Sequence, residues 1–525
     1  VNAISSLPAS PFPSDAALIE HLKQQLTTTQ QQLQHAELRI QLLEERLRRR
    51  RIEKYGAGSE KLSNLQLEML EQEPGVSAEE VQAESERPVI AGDLIEVAGY
   101  QRIARRSHPG RQTLPLDLPR VEKVIACPAE QCVCEKCGQA TKVIGYEESE
   151  QLEVEPAKYF VLVTKREKRT CTSCQGARIV AAPMPVRIIE KGLVSDRVVI
   201  DTVIRKYCDH LPLYRQSVIL ARESGIEISR ATLDDWVMRV GEMLQPLVGV
   251  MGRELVQGNY LQADETPVAV QMQEGRRGKH HQAYLWQYGR PGGATVFDFR
   301  MGRDRAGPKY FLQNFHGRLQ TDAYAAYDKV GGSGMIHIGC WTHARRGFAN
   351  VVKLNPGDPV ASPIVARINE LFAMDTEARE QGLSMEERHR LRQQKAPGLL
   401  EKIKASIEAA KLGALPGGAL ENARQYALTI WPRLTRFLEH PEVELSNNLI
   451  ENSMRPIALG RKNWIHIGSP EAGPKVAAIL SVIESCRRLK ISVRDYLASV
   501  LPGLAGTRLQ RLAALIPTAW LSQQQ

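Results

Sequence analysis

Three acidic residues stand far apart in the chain, each beside a pattern that could carry it to a common point. Asp264 ends the run YLQAD in NYLQADETPV, and Asp322 ends GRLQTD in GRLQTDAYAAYD. Glu451 lies in SNNLIENSMRPIALGRKNW, among Arg455, Arg461 and Lys462. A strand that presents a carboxylate at its tip, followed by small or turn residues, is one way to hold a divalent cation. Mg²⁺ takes oxygen ligands and keeps substrate phosphates as further ligands. Two such ions about 3.5–4 Å apart activate an attacking water or hydroxyl and stabilise the leaving oxygen. Crowded carboxylates resist ionisation, and a cation keeps them deprotonated. On this reading Glu451 is the third ligand, and the bases around it face phosphates. Taken singly, each acid reads equally well as a solvated surface residue, and Glu451 with Arg455 as a weak helical pair of about 0.2–0.5 kcal/mol. Pro456 predicts that a helix through this segment kinks or ends near Arg455.

A second constellation is made of thiols. Cys134-Glu-Lys-Cys137 and Cys171-Thr-Ser-Cys174 are two C-x-x-C knuckles, and two knuckles complete a tetrahedral zinc shell. Four thiolates leave no open coordination position, so the metal reads as a folding staple. Cys127 and Cys132 could substitute for a ligand but read as structural or incidental. The intervening FVLVTKREKRT reads as hairpin strands, with Lys165, Arg166, Lys168 and Arg169 offered to phosphate.

The positioning elements follow from periodicity. Residues 15–54 lack Pro and Gly and repeat apolar residues every seven positions, at Ile19, Leu26, Leu33, Ile40 and Leu47. With Leu22 and Leu43 this is a coiled-coil seam, weakened at Thr29 and Ala36; the alternative is an amphipathic helix docked on its own chain. Three helices follow at 195–245: VVIDTVIRKYC, LPLYRQSVILARE and RATLDDWVMRVGEML, with Ser229 as N-cap of the third. Helix, turn, helix is the outline of a DNA reader, or of a hairpin that merely packs. Short runs at VQGNYLQADE, QAYLWQYGR, ATVFDFR, GRLQTD and MIHIGCW read as strands, and 359–440 as helical. His343, Arg345 and Arg346 in CWTHARRGF sit just after the last strand. They read as a helix start near the acids, with His343 and an arginine on phosphate, or as a packed histidine with surface charges.

The composition is ordinary for a soluble protein: 43% hydrophobic and 25% charged over 525 residues. The net charge of +9 suits a polyanionic partner. No run of about 18 apolar residues predicts a membrane span, and the first residues, VNAISSLPASPFPS, do not read as a secretory signal.

Several stretches, in order along the chain, resemble transposases of the insertion sequence 66 family: CEKCG with CTSCQG, KYCDHLPLYRQ, ISRATLDDWV, QADETPV, TDAYAAY, CWTHARRGF and NNLIENSMRPIALGRKNWIHIGS. The resemblance implies an α/β catalytic core of RNase H-like fold, a mixed sheet with helices, carrying an all-α insertion. It implies a DDE triad at Asp264, Asp322 and Glu451 and zinc ligands at Cys134, Cys137, Cys171 and Cys174. The spacings, 58 residues and then 129, leave room for the insertion. The expected organisation is a coiled-coil helix (1–55), an acidic linker (56–104), a zinc-binding domain (105–188) and a helix-turn-helix (189–250). The core then follows in two parts (251–350 and 441–500) around a helical insertion (351–440), with a tail at 501–525.

The expected function is metal-dependent cleavage and transfer of DNA strands. Two Mg²⁺, replaceable by Mn²⁺, would be catalytic and Zn²⁺ structural. The expected partners are element-end and target DNA, a second copy of the chain or more, and accessory proteins of the same element. Candidate DNA contacts are Arg230, His343, Arg345, Arg346, Arg455, Arg461 and Lys462. The expected location is the cytoplasm. A regulator that binds DNA without cutting it would use the same basic and zinc parts, and a covalent Ser or Tyr nuclease lacks a nucleophile constellation.

Overall fold

The computed structural model describes residues 15–55, 179–190, 192–272 and 280–524, with residues 120, 121, 124, 132, 139, 140, 143, 146 and 159–169. The four knuckle cysteines, Cys127 and the acidic segment 56–104 lie outside the described residues. A large unit comprises 1–95, 162–222 and 226–525, and a small one 96–161 with 223–225. The acids and the sheet belong to the large unit. A two-residue ladder, β1 (Lys168–Arg169) against β2 (Val180–Ala181), is antiparallel.

Helix α1 (Asp15–Tyr55) is continuous, as its lack of helix breakers predicts. Its seam residues Ile19, Leu22, Leu26, Leu33, Ile40, Leu43 and Leu47 are all exposed. Near its end, Glu45 Oε1 accepts the Ala419 N–H at 2.6 Å, satisfying an orphan donor of a distant helix.

Helices α2 (Asp196–Tyr207), α3 (Leu213–Ser224) and α4 (Arg230–Val256) follow. Ser229 Oγ caps α4 by accepting the Thr232 N–H at 3.1 Å. Helix α4 runs well past the stretch read from sequence and buries Leu233, Val237, Val240, Leu244, Leu247 and Met251. It therefore packs as a core helix, whatever its exposed start at Arg230 touches.

The sheet holds β3 (Tyr260–Gln271), β4 (His280–Gly289), β5 (Thr295–Arg300), β6 (Arg318–Thr321) and β7 (Ile336–Gly339), in the order β5-β4-β3-β6-β7. These are the five runs read as strands. β3–β4 and β4–β5 are antiparallel, while β3–β6 and β6–β7 are parallel, which makes a mixed sheet. One expectation needs correction: Asp264 is not at a strand tip. β3 continues to Gln271 because β4 pairs with it from Gln262 onward, whereas β6 leaves it after Gln262. Helix α5 (Ala306–Leu312) links β5 to β6.

From Trp341 to Asn447 the chain forms helices and no strand. They include α6 (Trp341–Leu354), α7 (Ala361–Glu380), α8 (Met385–Ala409) and α9 (Ala419–Thr429). Ile364, Ile368, Leu371, Leu400, Ile403 and Ile407 form a core that continues into the sheet through Ile338 and Tyr260. Helix α10 (Asn448–Trp464) carries Glu451 in its first turn and stays helical through Pro456. The helix thus does not end near Arg455. An interior proline costs about 3 kcal/mol, but Leu449, Ile450, Met454 and Ile457 are buried, each worth about 1.5–3 kcal/mol.

Helix α11 (Ala472–Arg488) covers the β5 edge. Ser481 and Ser485 hydroxyls accept the Phe297 and Thr295 N–H groups at 2.8 and 3.0 Å, closing a sheet edge that would otherwise be open for pairing. Where α4 crosses α11, a Cβ on Gly241 would lie 2.7 Å from the Lys475 carbonyl oxygen, so the crossing requires glycine. No helix among the described residues is long and apolar enough to cross a membrane.

Candidate active site

Strands β3 and β6 pair with Gln262 opposite Gln320. Asp264 and Asp322 each lie two residues further on, past the last paired position, and the Asp322 charge acts on Asp264. Side chains alternate along a strand, so Asp264 shares its face with Gln262 and Tyr260. Asp322 is fixed by a local turn in which its Oδ1 accepts the Tyr324 N–H at 2.8 Å. Ala323 between them has φ +67°, a strained value for a residue with a side chain.

Glu451 reaches this place because the loop before α10 is gripped from two sides. From the sheet, Gln262 Nε2 donates to Ser446 O at 2.9 Å and Gln320 Nε2 to Glu444 O at 2.8 Å. The Tyr260 hydroxyl donates to Gln320 Oε1 at 2.5 Å and accepts the Glu444 N–H at 3.2 Å. From the helices, Arg388 binds the Glu444 carboxylate at 2.9 Å, Arg379 binds its other oxygen, and Arg392 donates to Val443 O at 2.7 Å. Arg392 also makes a buried bidentate pair with Asp375, at 2.8 and 2.5 Å. Sequence reasoning missed these residues. A signal was present: Leu261-Gln262-Ala263-Asp264 and Leu319-Gln320-Thr321-Asp322 repeat one L-Q-x-D pattern.

Asp264 is electrostatically strained. Burial raises the Asp264 carboxyl well above the usual range, and Glu451, Glu265 and Asp322 push it further, against His343. Glu265 is on the other face and already has partners: Arg303 at 2.9 and 2.6 Å and the Tyr327 hydroxyl at 2.7 Å. The Asp264, Asp322 and Glu451 set offers hard oxygen donors only, and the repulsion around Asp264 is what a divalent cation would relieve. The residues therefore fit Mg²⁺-class binding.

Glu451 also has basic neighbours in this conformation. Its Oε2 accepts from Arg346 Nη2 at 3.2 Å, and its Oε1 is 3.6 Å from His343 Nδ1. Cys340, His343 and Glu451 have ligand atoms within 4.8 Å of one another, and the acid trio is not drawn that close. Burial disfavours a charged His343, but Cys340 and Glu451 outweigh it and lift the imidazole to about 9, with Arg346 opposing.

Of the basic residues read as DNA contacts, His343 and Arg346 stand beside Glu451. Arg230 and Lys462 are exposed, and Arg455 is half-buried on α10. Arg461 is spent on β3, donating to the Thr266 hydroxyl at 3.0 Å and Pro267 O at 2.6 Å. Arg345 corrects the sequence reading: it is 6% exposed and donates to Asn369 Oδ1 at 2.7 Å, so it ties α6 to α7 inside the protein.

Residues 191–475 match the family described as "Transposase IS66 family". Residues 131–175 match the "zinc-finger binding domain of transposase IS66", and 42–122 "Transposase C of IS166 homeodomain". The zinc-finger match spans all four knuckle cysteines, which supports structural zinc. The chain is also similar to proteins of Sinorhizobium fredii (strain NBRC 101917 / NGR234) described as uncharacterized. With y4jD it shares 30% identity over 489 residues, 90% of this chain and 93% of that protein. With y4qI it shares 32% over 447 residues, 82% and 80% of the two chains. A mixed sheet within a transposase-family match, together with the zinc-finger match, puts the chain among transposases, which act on DNA. The chain belongs to the IS66 family of transposases.

Proposed function

We propose that this transposase cuts and joins DNA through a DDE triad of Asp264, Asp322 and Glu451 on an RNase H-like core, with the helical segment 351–440 as an insertion. The observation that supports the reading is the charge gathered on Asp264, whose buried carboxyl both Glu451 and Asp322 push up, with the two aspartates each two residues past the last β3–β6 pair. The antiparallel β3–β4–β5 meander continued by parallel β6 and β7 supports the fold.

The three carboxylates would hold two Mg²⁺, or Mn²⁺ in their place, and when bound these supply charge stabilisation at the attacking and leaving oxygens. The triad orients the scissile phosphodiester, and Arg346 and His343 hold its phosphate beside Glu451. Water cleaves one strand at each element end and frees a 3′-hydroxyl. That hydroxyl attacks target DNA by in-line displacement, with no protein–DNA covalent intermediate. Arg230, Arg455 and Lys462 contact phosphates on the flanking duplex, where the α3–α4 helix-turn-helix (189–250) and the zinc-binding domain (105–188) also bind. The exposed seam of α1 pairs protomers across the two ends, and accessory proteins of the element assist.

The test is cleavage of element-end duplex in Mg²⁺ by the parent and by Asp264→Ala. The parent cuts and the variant does not; equal cleavage overturns the assignment.

A further inference from the structure

One cluster beside the triad has a different chemistry from it. Cys340 is fully buried at the N-terminal boundary of α6, and His343 lies on the first turn of that helix. Glu451 faces both from α10. Their ligand atoms lie within 4.8 Å of one another. His343 Nδ1 and Glu451 Oε1 are both buried without a hydrogen-bond partner, and at 3.6 Å they are too far apart to bond each other. Two buried polar atoms from separate helices, an ion pair too long for a hydrogen bond, thus face one another beside a buried sulfur that also bonds the imidazole.

We propose that Cys340, His343 and Glu451 form a second metal site, for a zinc-class ion, and that filling it withdraws Glu451 from Asp264 and Asp322. Thiolate, imidazole and carboxylate are the donors such an ion takes, whereas Mg²⁺ refuses sulfur. Zinc–ligand bonds of about 2.0–2.3 Å at tetrahedral angles place neighbouring donors about 3.3–3.6 Å apart. The histidine–carboxylate pair already stands at that distance, and Cys340 needs at most a small inward shift. Three protein ligands leave the fourth position to water. Binding through Nδ1 puts a proton on Nε2, which faces the Arg346 guanidinium at 3.3 Å, so Arg346 must turn outward. Its side chain is 44% exposed and has room to do so. The ion then replaces Arg346 as the counter-charge of Glu451. The site is separate from the four-cysteine segment, whose match covers 131–175. The consequence for the transposase is a switch: a soft cation holds the third acid out of the place that hard cations need.

The inhibitory half of this proposal rests on the catalytic reading above; the binding half does not, and the experiment separates them. Full-length protein with its four-cysteine segment already zinc-loaded is titrated with Co²⁺, reading thiolate-to-cobalt charge-transfer absorption. The parent takes up a further equivalent of Co²⁺ with a thiolate band, and Cys340→Ser and His343→Gln each weaken that uptake at least tenfold. Cys340→Ala guards against misfolding of the serine variant, with the thermal midpoint of each variant as the folding control. Identical uptake and spectra in the parent and in folded Cys340 variants overturn the site. In parallel, Zn²⁺ added to a Mg²⁺-supported cleavage reaction inhibits the parent and spares Cys340→Ser. Extra uptake by the parent combined with equal inhibition of both proteins overturns the switch and leaves the site standing.

Discussion

Replacing Arg392 with Met isolates the grip on the loop that carries Glu451. Arg392 and Asp375 are 0% and 1% exposed on their side chains. Removing the guanidinium leaves a buried carboxylate unpaired, which costs about 3–5 kcal/mol. It also strips Val443 O of its donor, worth about 1–3 kcal/mol for a buried acceptor. The single variant should therefore unfold at clearly lower urea. Adding Asp375→Leu removes the stranded charge, and apolar replacement of a buried pair is often neutral or stabilising. The double variant should regain most of the stability but not the hydrogen bond to Val443. A misplacement of about 1 Å at a catalytic group can cost about 10²-fold. Single-turnover cleavage by the double variant should thus stay well below the parent while its unfolding midpoint recovers. Joint recovery of stability and cleavage would refute the idea that this contact positions Glu451.

Further expectations concern the same elements. Burial alone would raise the Glu444 carboxyl, yet Arg379, Arg388 and Arg392 outweigh it and hold it below the usual range. Its stabilisation is therefore present above about pH 4.5 and lost as pH falls through the folded value. The stability gap between the parent and Glu444→Gln should be level above that pH and narrow below it; a gap widening toward acid contradicts this. Pro456→Ala removes an interior proline from a segment that is already helical, so it should stabilise by about 1–3 kcal/mol in thermal unfolding, and a lowered midpoint argues against it. Lys462→Ala should flatten the log–log salt dependence of DNA binding by about 0.9. Arg345→Ala should leave that slope alone and lower stability; the reverse pattern would return Arg345 to the DNA.

The strands, the long first helix and the Ser229 cap were legible in the sequence because each depends on local pattern: apolar runs, an unbroken heptad and a cap before a helix. The two aspartates were legible as types, and each lies two residues past the last β3–β6 pair, Gln262 with Gln320. What stayed hidden was long-range. Pro456 marks a break by local rules, and only the buried face of α10 overrides it. Arg345 and Arg346 look alike in CWTHARRGF, but the helix turns one inward to Asn369 and the other to Glu451. Gln262 and Gln320 look like ordinary polar strand residues, until their amides are seen to hold residues 444–446 from 124 or more positions away.

The most direct test is the position of Mn²⁺, by anomalous diffraction, in a crystal of the transposase bound to element-end DNA. The account predicts manganese coordinated by Asp264, Asp322 and Glu451, with the Glu451 carboxylate released from Arg346 and His343. Manganese bound elsewhere, with Glu451 still paired to Arg346, would contradict it.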